Sequence, residues 1–545
     1  MDSDQRSHVE RRPMPPRADN VCLYCRRRKK KCDKTLPNCL QCKTHHVECV
    51  YDEGEGASTI DEFRQLRKRL RKVEGLMVPG TSKAANPGLA LKQRPSSHAA
   101  QDDTFIGRLA VLNPESSLSE EINQLLQSKP GEVYGACQIF FQSVHKWMPI
   151  LSQKLFYRRM TTFTKTRQSD FALLLVSVLL LIHCPTRGTR PEPLYEIVKA
   201  RYWHHNASAA ASIETIQAGL LLACYEYGSG MIEACYRTTG LCARMGSWMG
   251  LHNQGLPSNL PRDSDAWLET AERCNVWWGI FIRDRCINIE DTAHYKPCTI
   301  DRGCIPDYLP LESDVLDPSF NSLNANETVG IFGRQAQACR LLDQVIYFHQ
   351  RQATAAPGSP DDEKSQIDLD IRSLLGTLID QNCGRICEFC EASAIVIGAL
   401  FLLHSEGATA APLDCGGSGP LVANAASSIA LKTATRIVVD IARNFNDSLA
   451  KLSMIARPPT YCHVIYRATA ELISLHDSMD RIQWSQDLEI LREASWNYSR
   501  RWQVAAHHLK SMDIAATELL PEPPSTFPSF QPLPSDPCLI TLLDE

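Results

Sequence analysis

Six cysteines lie close together near the N-terminus, in the order C-x2-C-x6-C-x6-C-x2-C-x6-C. A thiolate is a soft ligand that suits zinc, and a C-x2-C pair lets two sulfurs of one tight turn reach the same tetrahedral ion. Two four-coordinate sites that shared no ligand would need more than six sulfurs. The spacing therefore favours two zinc ions held in part by bridging thiolates. The six expected ligands are Cys22, Cys25, Cys32, Cys39, Cys42 and Cys49.

A disulfide framework is the alternative chemistry for such a cluster. No secretory signal precedes the cluster and its flanks are basic, so we expect reduced thiols. His45 and His46 are expected to be surface residues, because six cysteines already satisfy two ions. The other cysteines are scattered, and the three at helical spacing, Cys383, Cys387 and Cys390, are expected to pack instead of binding metal.

Six consecutive cations, Arg26 to Lys31, separate the second and third cysteines. We expect each C-x2-C pair to open a short helix, with the cationic run covering about two turns of the first one. Neighbouring positive charges repel one another unless an anion lies alongside, and DNA phosphates are the obvious anion. The chain as a whole carries a net charge of -4, so DNA affinity is expected to be local to this segment. A nuclear localisation signal or a solvated basic face is the other interpretation.

The same stretch resembles the fungal binuclear zinc cluster (Zn2Cys6) transcription factors, the type found in the yeast galactose regulator. That family's pattern is C-x2-C-R-x-x-K-x-K-C, a short loop with proline two residues before the next cysteine, and then C-x2-C-x6-C. Arg26, Lys29, Lys31 and Pro37 stand in those places. The resemblance implies that Cys22 and Cys39 bridge the two zinc ions. The remaining ligands would then divide into the pairs Cys25 with Cys32 and Cys42 with Cys49.

The resemblance also implies how DNA is read. Lysine or arginine facing guanine O6 and N7 in the major groove is the commonest specific contact. Lys29 receives this role, aided by Arg28, on the CG-rich triplet that the family reads. The other cations are expected to contact phosphates and so position the module. These cations are Arg26, Arg27, Lys30, Lys31, Lys34 and Lys43.

A second periodic segment, residues 61–77, follows a short linker at 50–60. Its apolar residues recur in steps of three and four, the a/d pattern of a coiled coil. With Phe63 at a, the partners in a parallel homodimer are Glu62 with Arg67 and Arg69 with Glu74, both opposite in charge. The seam is short and marginal alone, and a lone amphipathic basic helix is the alternative. The predicted dimerisation residues are Phe63, Leu66, Leu70, Val73 and Met77.

The rest of the chain predicts a mainly α protein with one large all-α domain at 117–515. Residues 1–21 and the Pro-, Gly-, Ala- and Ser-rich segment 78–116 are expected to be a disordered tail and a linker. Ser117 with Glu120 forms a capping-box signal, and Ser212 is a plausible N-cap. Helix breaks are expected at 185–193, 255–265, 353–364 and 407–419. The longest apolar run, 171–182, is too short to cross a membrane and suits a buried helix.

Three stretches of this domain resemble the family's middle homology domain, which implies a regulatory role. They are YGACQIFFQSVHKWMPILSQKLFYRRM from Tyr134, TTGLCARMGSWMGLH ending at His252, and the Trp-Trp helix RCNVWWGIFIRDRC with the segment that follows it. The last is expected to carry a buried Asp284–Arg285 ion pair and a Pro-x-x-Ile-Asp turn at 297–301. The family usually has glycine and arginine before that proline, where this chain has tyrosine and lysine.

Motifs for enzymatic chemistry are absent from the sequence: it has no H-E-x-x-H, G-x-G-x-x-G, P-loop or G-x-S-x-G. His145 and His252 have apolar or aromatic neighbours and are expected to be hydrogen-bonded core histidines. We therefore expect no enzyme. A small effector between the helices stays open, although no residue identifies one.

The C-terminal segment, 516–545, is rich in proline and mixes Phe and Leu with acids. This composition is typical of a disordered activation segment, and an arm that packs back on the domain is the alternative. The family resemblance implies a nuclear regulator of genes transcribed by RNA polymerase II, an activator of a metabolic or secondary-metabolite biosynthetic gene set. We expect it to read CGG-type half-sites as a homodimer, to work with coactivators and not to contact membranes. The alternative is a helical metabolite-binding protein or enzyme that the zinc module tethers to chromatin.

Overall fold

The structure is a computed structural model of the 545-residue chain. It divides into two compact units, Met1–Ser97 and His98–Glu545. The predicted N-terminal tail, both linkers, the coiled coil and nearly all of the C-terminal tail lie outside the described residues. The described residues are 21, 22, 24, 25, 28, 30–47, 49, 117–183, 193–262, 264–289, 296–313, 329–352, 361–381, 388–409, 419–449 and 453–519.

The first unit has a core of sulfur instead of hydrocarbon. Four fully buried cysteines form it, and Tyr24, Cys32, Val47 and Cys49 pack around them. One short helix, α1 (Leu40–Thr44), leaves this core. A module this small has too little apolar area to fold on burial alone, so metal ligation is the expected source of its stability.

The described part of the second unit consists of helices joined by turns, with no strand. This confirms the predicted all-α fold. In chain order the helices are α2 (Leu118–Ser128), α3 (Pro130–Gln142), α4 (Gln153–Thr166), α5 (Ser169–Ile182), α6 (Pro193–Ser208), α7 (Ile213–Gly228), α8 (Ile232–Trp248), α9 (Asp265–Cys286), α10 (Ile331–Gln352), α11 (Asp361–Gln381), α12 (Cys390–Thr409), α13 (Gly419–Asp447), α14 (Thr460–Ser474), α15 (Arg481–Ser499) and α16 (Gln503–Leu519).

Two buried helices organise this unit. In the N-terminal half, α7 is buried from Thr215 to Gly228 and packs against α5, α8 and α9. In the C-terminal half, α12 packs against α10, α13 and α14, and the contact between α9 and α10 joins the two groups. The predicted buried helix at 171–182 is confirmed, since every residue of that run in α5 is buried. No helix in the described part of the chain is both long enough and apolar enough to span a membrane.

Close packing between distant segments depends on one glycine in α7. A Cβ on Gly228 would lie 2.1 Å from a ring carbon of Trp502. Trp502 is itself buried and donates its indole N–H to the carbonyl of Arg457 at 2.9 Å. A larger residue at position 228 would therefore push apart the start of α16 and the end of α7.

The two predicted N-terminal caps have different outcomes, and two helices reach a few residues into predicted breaks: α11 begins at Asp361 and α12 runs to Thr409. Ser212 caps α7 as expected, because its Oγ accepts from the backbone N–H of Thr215 at 3.2 Å. Ser117 is the N-cap residue of α2, but its side chain makes no capping bond. Glu120, the expected partner in a capping box, instead pairs with Arg167 at the end of α4. Tertiary ion pairing has replaced the local motif.

The predicted ion pair in α9 is present and buried. Arg285 contacts the Asp284 carboxylate and donates from Nε to Asp343 Oδ1 of α10 at 2.8 Å. Asp284 accepts the backbone N–H groups of Thr299 at 3.0 Å and Ile300 at 3.1 Å, which fixes the turn at 297–301. The residue preceding Lys296 lies outside the described part.

Candidate metal centre and DNA interface

The six cysteines of the first unit form two overlapping groups of four. Cys22, Cys25, Cys32 and Cys39 have their sulfurs within 4.8 Å of one another, and so do Cys22, Cys39, Cys42 and Cys49. Cys22 and Cys39 belong to both groups. Each group offers four thiolates, the number that a closed structural zinc site uses.

Distances between the sulfurs fit a metal better than any other chemistry. Cys22 Sγ lies 3.6 Å from Cys39 Sγ, and Cys32 Sγ lies 3.8 Å from Cys22 Sγ. Zinc bound tetrahedrally at about 2.3 Å per sulfur places neighbouring sulfurs about 3.8 Å apart. A disulfide would need about 2.0 Å. All six cysteines are free thiols, so the geometry excludes the disulfide framework among them.

Without a cation, burial raises the pKa of three of these thiols, those of Cys25, Cys39 and Cys42. At Cys25, burial together with hydrogen bonds that its thiol donates to Cys22 and Cys39 raises the pKa to about 12. A dication inside the cluster reverses this balance, because it favours the thiolate. The cluster therefore suits a resident metal ion.

Local sequence places the second half of the cluster. Cys39 is the N-cap of α1, and its thiol accepts from the backbone N–H of Cys42 at 3.4 Å. The backbone N–H of Cys39 donates to Cys49 Sγ at 3.2 Å. Asp33 Oδ1 accepts from Leu40 N at 2.9 Å, which ties the loop to the first turn of α1. Such N–H donors to sulfur orient metal ligands and stabilise their charge.

The prediction that Arg26 to Lys31 covers about two helical turns is wrong. Tyr24 and Cys25 are helical and Arg28 lies in a turn, but Lys30 and Lys31 have no helical structure. Ten residues of helix would separate Cys22 from Cys32 by about 15 Å. The chain must leave the helix early so that Cys32 can return to the cluster.

Several of the predicted DNA-contacting cations project into solvent. Arg28, Lys30, Lys31 and Lys43 are exposed, whereas Lys34 is half-buried and has φ of 61°. The Arg28 guanidinium lies 5.6 Å from the centre of the Tyr24 ring. The remaining predicted contacts, Arg26, Arg27 and Lys29, lie outside the described residues.

Histidines near the cluster and in the second unit were also expected to be structural. His45 and His46 are exposed, as predicted. His145 is buried, yet neither ring nitrogen has a hydrogen-bond partner among the described residues, so the expected hydrogen bond is wrong. Its imidazole packs edge-on against Phe141, with ring centres 5.1 Å apart. His252 is half-buried against Trp277.

Of the three spaced cysteines, Cys390 is buried, and Cys383 and Cys387 lie outside the described residues.

Sequence reasoning missed one constellation that superficially resembles a catalytic triad. His404 Nδ1 lies 3.2 Å from Ser427 Oγ, and His404 Nε2 lies 2.9 Å from Asp368 Oδ1. Ser427 is buried and also accepts from Lys364 Nζ at 3.3 Å. A serine in this position cannot meet a carbonyl carbon, so the chain of bonds joins α11, α12 and α13 structurally. No local motif marks these residues, because only tertiary packing brings them together.

Comparison with known families supports the site. Residues 20–58 match the fungal Zn(2)-Cys(6) binuclear cluster domain, and residues 137–290 match the fungal specific transcription factor domain. The first match covers all six cysteines. The second covers the predicted middle homology stretches up to the end of α9.

Individual relatives point the same way. The chain is 22% identical over 437 residues to the nitrogen assimilation transcription factor nirA of Emericella nidulans, covering 62% of this chain and 48% of that protein, about half its length. It is 22% identical over 348 residues to the citrinin biosynthesis transcriptional activator mrl3 of Monascus ruber, covering 56% and 67% respectively. With transcription factor BOA15 of Botryotinia fuckeliana it shares 32% identity over 135 residues, which are 25% of this chain and 75% of that protein. The chain therefore belongs to the fungal Zn2Cys6 transcription factor family.

Proposed function

We propose that this protein is a sequence-specific regulator of RNA polymerase II genes that reads CGG-type half-sites. The observation that carries the proposal is the pair of four-sulfur groups sharing Cys22 and Cys39, with exposed cations next to it. A metal-held module of this kind presents positive charge in a fixed orientation. Reading a base edge requires charges held in a fixed orientation. Non-specific attraction to phosphate does not require this.

The cofactor in this proposal is a pair of zinc ions. Cys22 and Cys39 bridge them, Cys25 and Cys32 complete one site, and Cys42 and Cys49 complete the other. The zinc ions supply structural cross-links in this module and no reaction chemistry.

Base reading is assigned to Lys29, aided by Arg28. The proposed phosphate contacts are Arg26, Arg27, Lys30, Lys31, Lys34 and Lys43. The exposure of Arg28, Lys30, Lys31 and Lys43 supports this division, since a cation must be free of the core to meet DNA. Because the first helix ends before Lys30, the later cations lie on irregular chain, which suits backbone contacts better than insertion into a groove.

The other proposed parts give the module selectivity and output. A parallel homodimer through 61–77 would fix two half-sites at a spacing set by the linker. The helical region at 117–515 would be regulatory, and 516–545 is proposed as an activation segment that contacts coactivators. Relatives named as activators of biosynthetic gene clusters, such as mrl3, support a role in the nucleus as an activator of a metabolic or secondary-metabolite gene set.

The second candidate is a metabolite-binding or enzymatic helical domain tethered to chromatin. The family is not a class of enzymes. The Ser427–His404–Asp368 chain is the one arrangement in the described residues that resembles catalytic geometry, and its buried serine argues against turnover. We therefore rank regulation of transcription first.

The test separates base reading from phosphate contact in the full-length protein. Lys29→Ala should weaken binding to a CGG duplex by roughly 1–3 kcal/mol and erase the preference over a scrambled duplex. Lys43→Ala, the matched control, should weaken binding to both duplexes equally and lower the slope of log affinity against log salt by about one. Anisotropy titrations at several salt concentrations measure both. Equal loss on both duplexes for the two variants would remove base reading from Lys29.

A further inference from the structure

A groove of about 250 Å³ opens on the surface of the second unit and has no role in the proposed function. Its walls come from three segments: Trp203 in the C-terminal half of α6, one face of α8, and Thr299 in the turn at 297–301. On α8, Arg237, Gly240 and Arg244 recur at helical spacing and so share a face. The volume lies near the lower end of ligand pockets in proteins, which suits a ligand of one or two rings.

The chemistry of the walls favours a planar anion. A guanidinium presents a flat fork of donors that matches a carboxylate, and Arg237 and Arg244 supply two of them. Trp203 is partly exposed beside them and offers an aromatic face on which a flat ligand can stack. Arg237 already pairs with Glu233 at 2.9 Å, but both side chains are largely exposed. An exposed pair of this kind contributes little to stability, so a ligand anion can displace Glu233.

Hydrogen bonds between neighbouring elements hold three parts of the walls in place. Tyr236 donates its hydroxyl to the carbonyl of Pro297 at 2.9 Å, which joins α8 to the turn. The backbone N–H of Thr299 is fixed by the Asp284 carboxylate. On the α6 side, the Lys199 ammonium lies 5.4 Å from the centre of the Trp203 ring and donates to Thr238 Oγ1 at 2.8 Å. These contacts fix the turn and the Trp203 ring relative to α8, so the entropy lost on ligand binding falls mainly on the two arginines.

Gly240 keeps the floor of the groove open. A Cβ at this position would lie 3.6 Å from Thr299 Oγ1 and 3.7 Å from Arg244 Nη1, which are ordinary contacts. Alanine would therefore fit without strain, whereas a longer side chain would occupy the space between the arginine and the threonine. A substitution at this one position can therefore fill the groove.

We propose that this groove binds a small planar organic anion of the aromatic carboxylate class. The carboxylate lies between Arg237 and Arg244, and the ring stacks on Trp203. Thr299 is the point at which the ligand meets the Asp284–Arg285 network of α9. The interior cavity lined by Arg283 and Glu391 is only about 10 Å³, which admits one water and no metabolite.

The experiment is a calorimetric titration of the full-length protein with salicylate, a planar aromatic carboxylate, and with salicylamide, its neutral amide. We expect salicylate to bind at one site per chain and salicylamide not to bind. Arg244→Gln should weaken salicylate at least about tenfold, the loss expected for one charge-assisted contact. Gly240→Leu should abolish binding. Arg262→Gln, an exposed arginine outside the groove, should leave the affinity unchanged.

The variant Gly240→Ala tests whether loss of the fold could explain weaker salicylate binding. It should keep or raise the helical circular dichroism signal, because alanine favours helix more than glycine does. It should also narrow the groove and weaken the binding of salicylate. Absence of salicylate binding in the wild type, or equal affinity in Arg244→Gln, would overturn the proposal. If Arg244→Gln changed only affinity for a non-specific duplex, the groove would be a phosphate contact and the proposal would be wrong. Neither result depends on CGG recognition. The proposed ligand groove can therefore be contradicted without contradicting the proposed function, and the reverse also holds.

Discussion

At the scale of single residues, the sulfur cluster shows how spacing alone can specify chemistry. The order of the six cysteines predicted that they meet, and the structure brings Cys22 and Cys39 into both groups of four. The buried contacts of His145 and His404 could not be predicted in the same way. Their partners lie on other elements, and no pattern in the local sequence indicates which distant side chain will arrive.

Loss of a shared sulfur should damage both zinc sites at once. In Cys39→Ser, zinc content measured by plasma mass spectrometry should fall from about two ions per chain to below one. Cys25→Ser, which removes a ligand from one group only, should retain about one. Cys304→Ser, a half-buried cysteine outside the cluster, is the control and should keep both ions. Equal losses in Cys39→Ser and Cys25→Ser would contradict bridging.

His145 should make the helical unit sensitive to mild acid. Burial lowers the pKa of its imidazole to about 3, below the value of about 6.5 in an unfolded chain. The unfolded state therefore takes up a proton that the folded state refuses. The free energy of unfolding is therefore not reduced by this group above about pH 6.5, and it decreases as the pH falls toward 3.

Urea unfolding at about pH 7.5 and pH 5.0 measures this loss. Between these two pH values, the free energy of unfolding of the wild type should fall by about 2 kcal/mol more than that of His145→Phe. The reason is that each pH unit below about 6.5 costs about 1.36 kcal/mol. Phenylalanine keeps the edge-on packing against Phe141 and removes the titrating group. His204→Phe, an exposed position on α6, should behave as wild type. An unchanged loss in His145→Phe would show that another group causes the acid sensitivity.

At the scale of elements, local signals predicted where helices begin and tertiary demands decided where they end. The N-cap at Ser212 and the breaks near 185–193 and 255–265 agree with the structure, because caps and prolines act through their own backbone. The first helix of the cluster is shorter than its composition predicted, because the return of Cys32 overrides helix propensity. Glu120 likewise pairs with Arg167 and does not form the predicted capping box.

Of the contacts between α9 and α10, we expect the ion pairs of Arg285 with Asp284 and Asp343 to be the ones on which stability depends most. Arg285→Leu leaves the Asp284 and Asp343 carboxylates without their shared cation, and breaking a buried pair costs roughly 3–5 kcal/mol. Arg237→Leu removes an exposed pair with Glu233 and should cost at most about 0.5 kcal/mol. Urea midpoints at neutral pH compare the two. A loss below about 1 kcal/mol in Arg285→Leu would mean that the network does not hold α9 against α10.

At the scale of the whole molecule, the six-cysteine cluster and the run of six consecutive cations lie in one small unit, while the described part of the large unit is helical. The sequence was enough to predict this division, and in the proposed function DNA affinity lies in the first unit. The groove between α6 and α8 was not predictable, because it depends on how a tryptophan, two arginines and a distant turn meet. Family resemblance implied regulation in the large unit but identified no residue for it.

The central claim is that metal held by the six cysteines gives the cationic segment the rigidity to read DNA. The most direct measurement is anisotropy of a labelled CGG duplex titrated with full-length protein before chelation, after chelation and after zinc is restored. We predict that chelation abolishes the preference for CGG over a scrambled duplex, and that about two zinc ions per chain restore it. The helical circular dichroism signal of the large unit should persist throughout. A CGG preference that survives complete removal of zinc would contradict the claim.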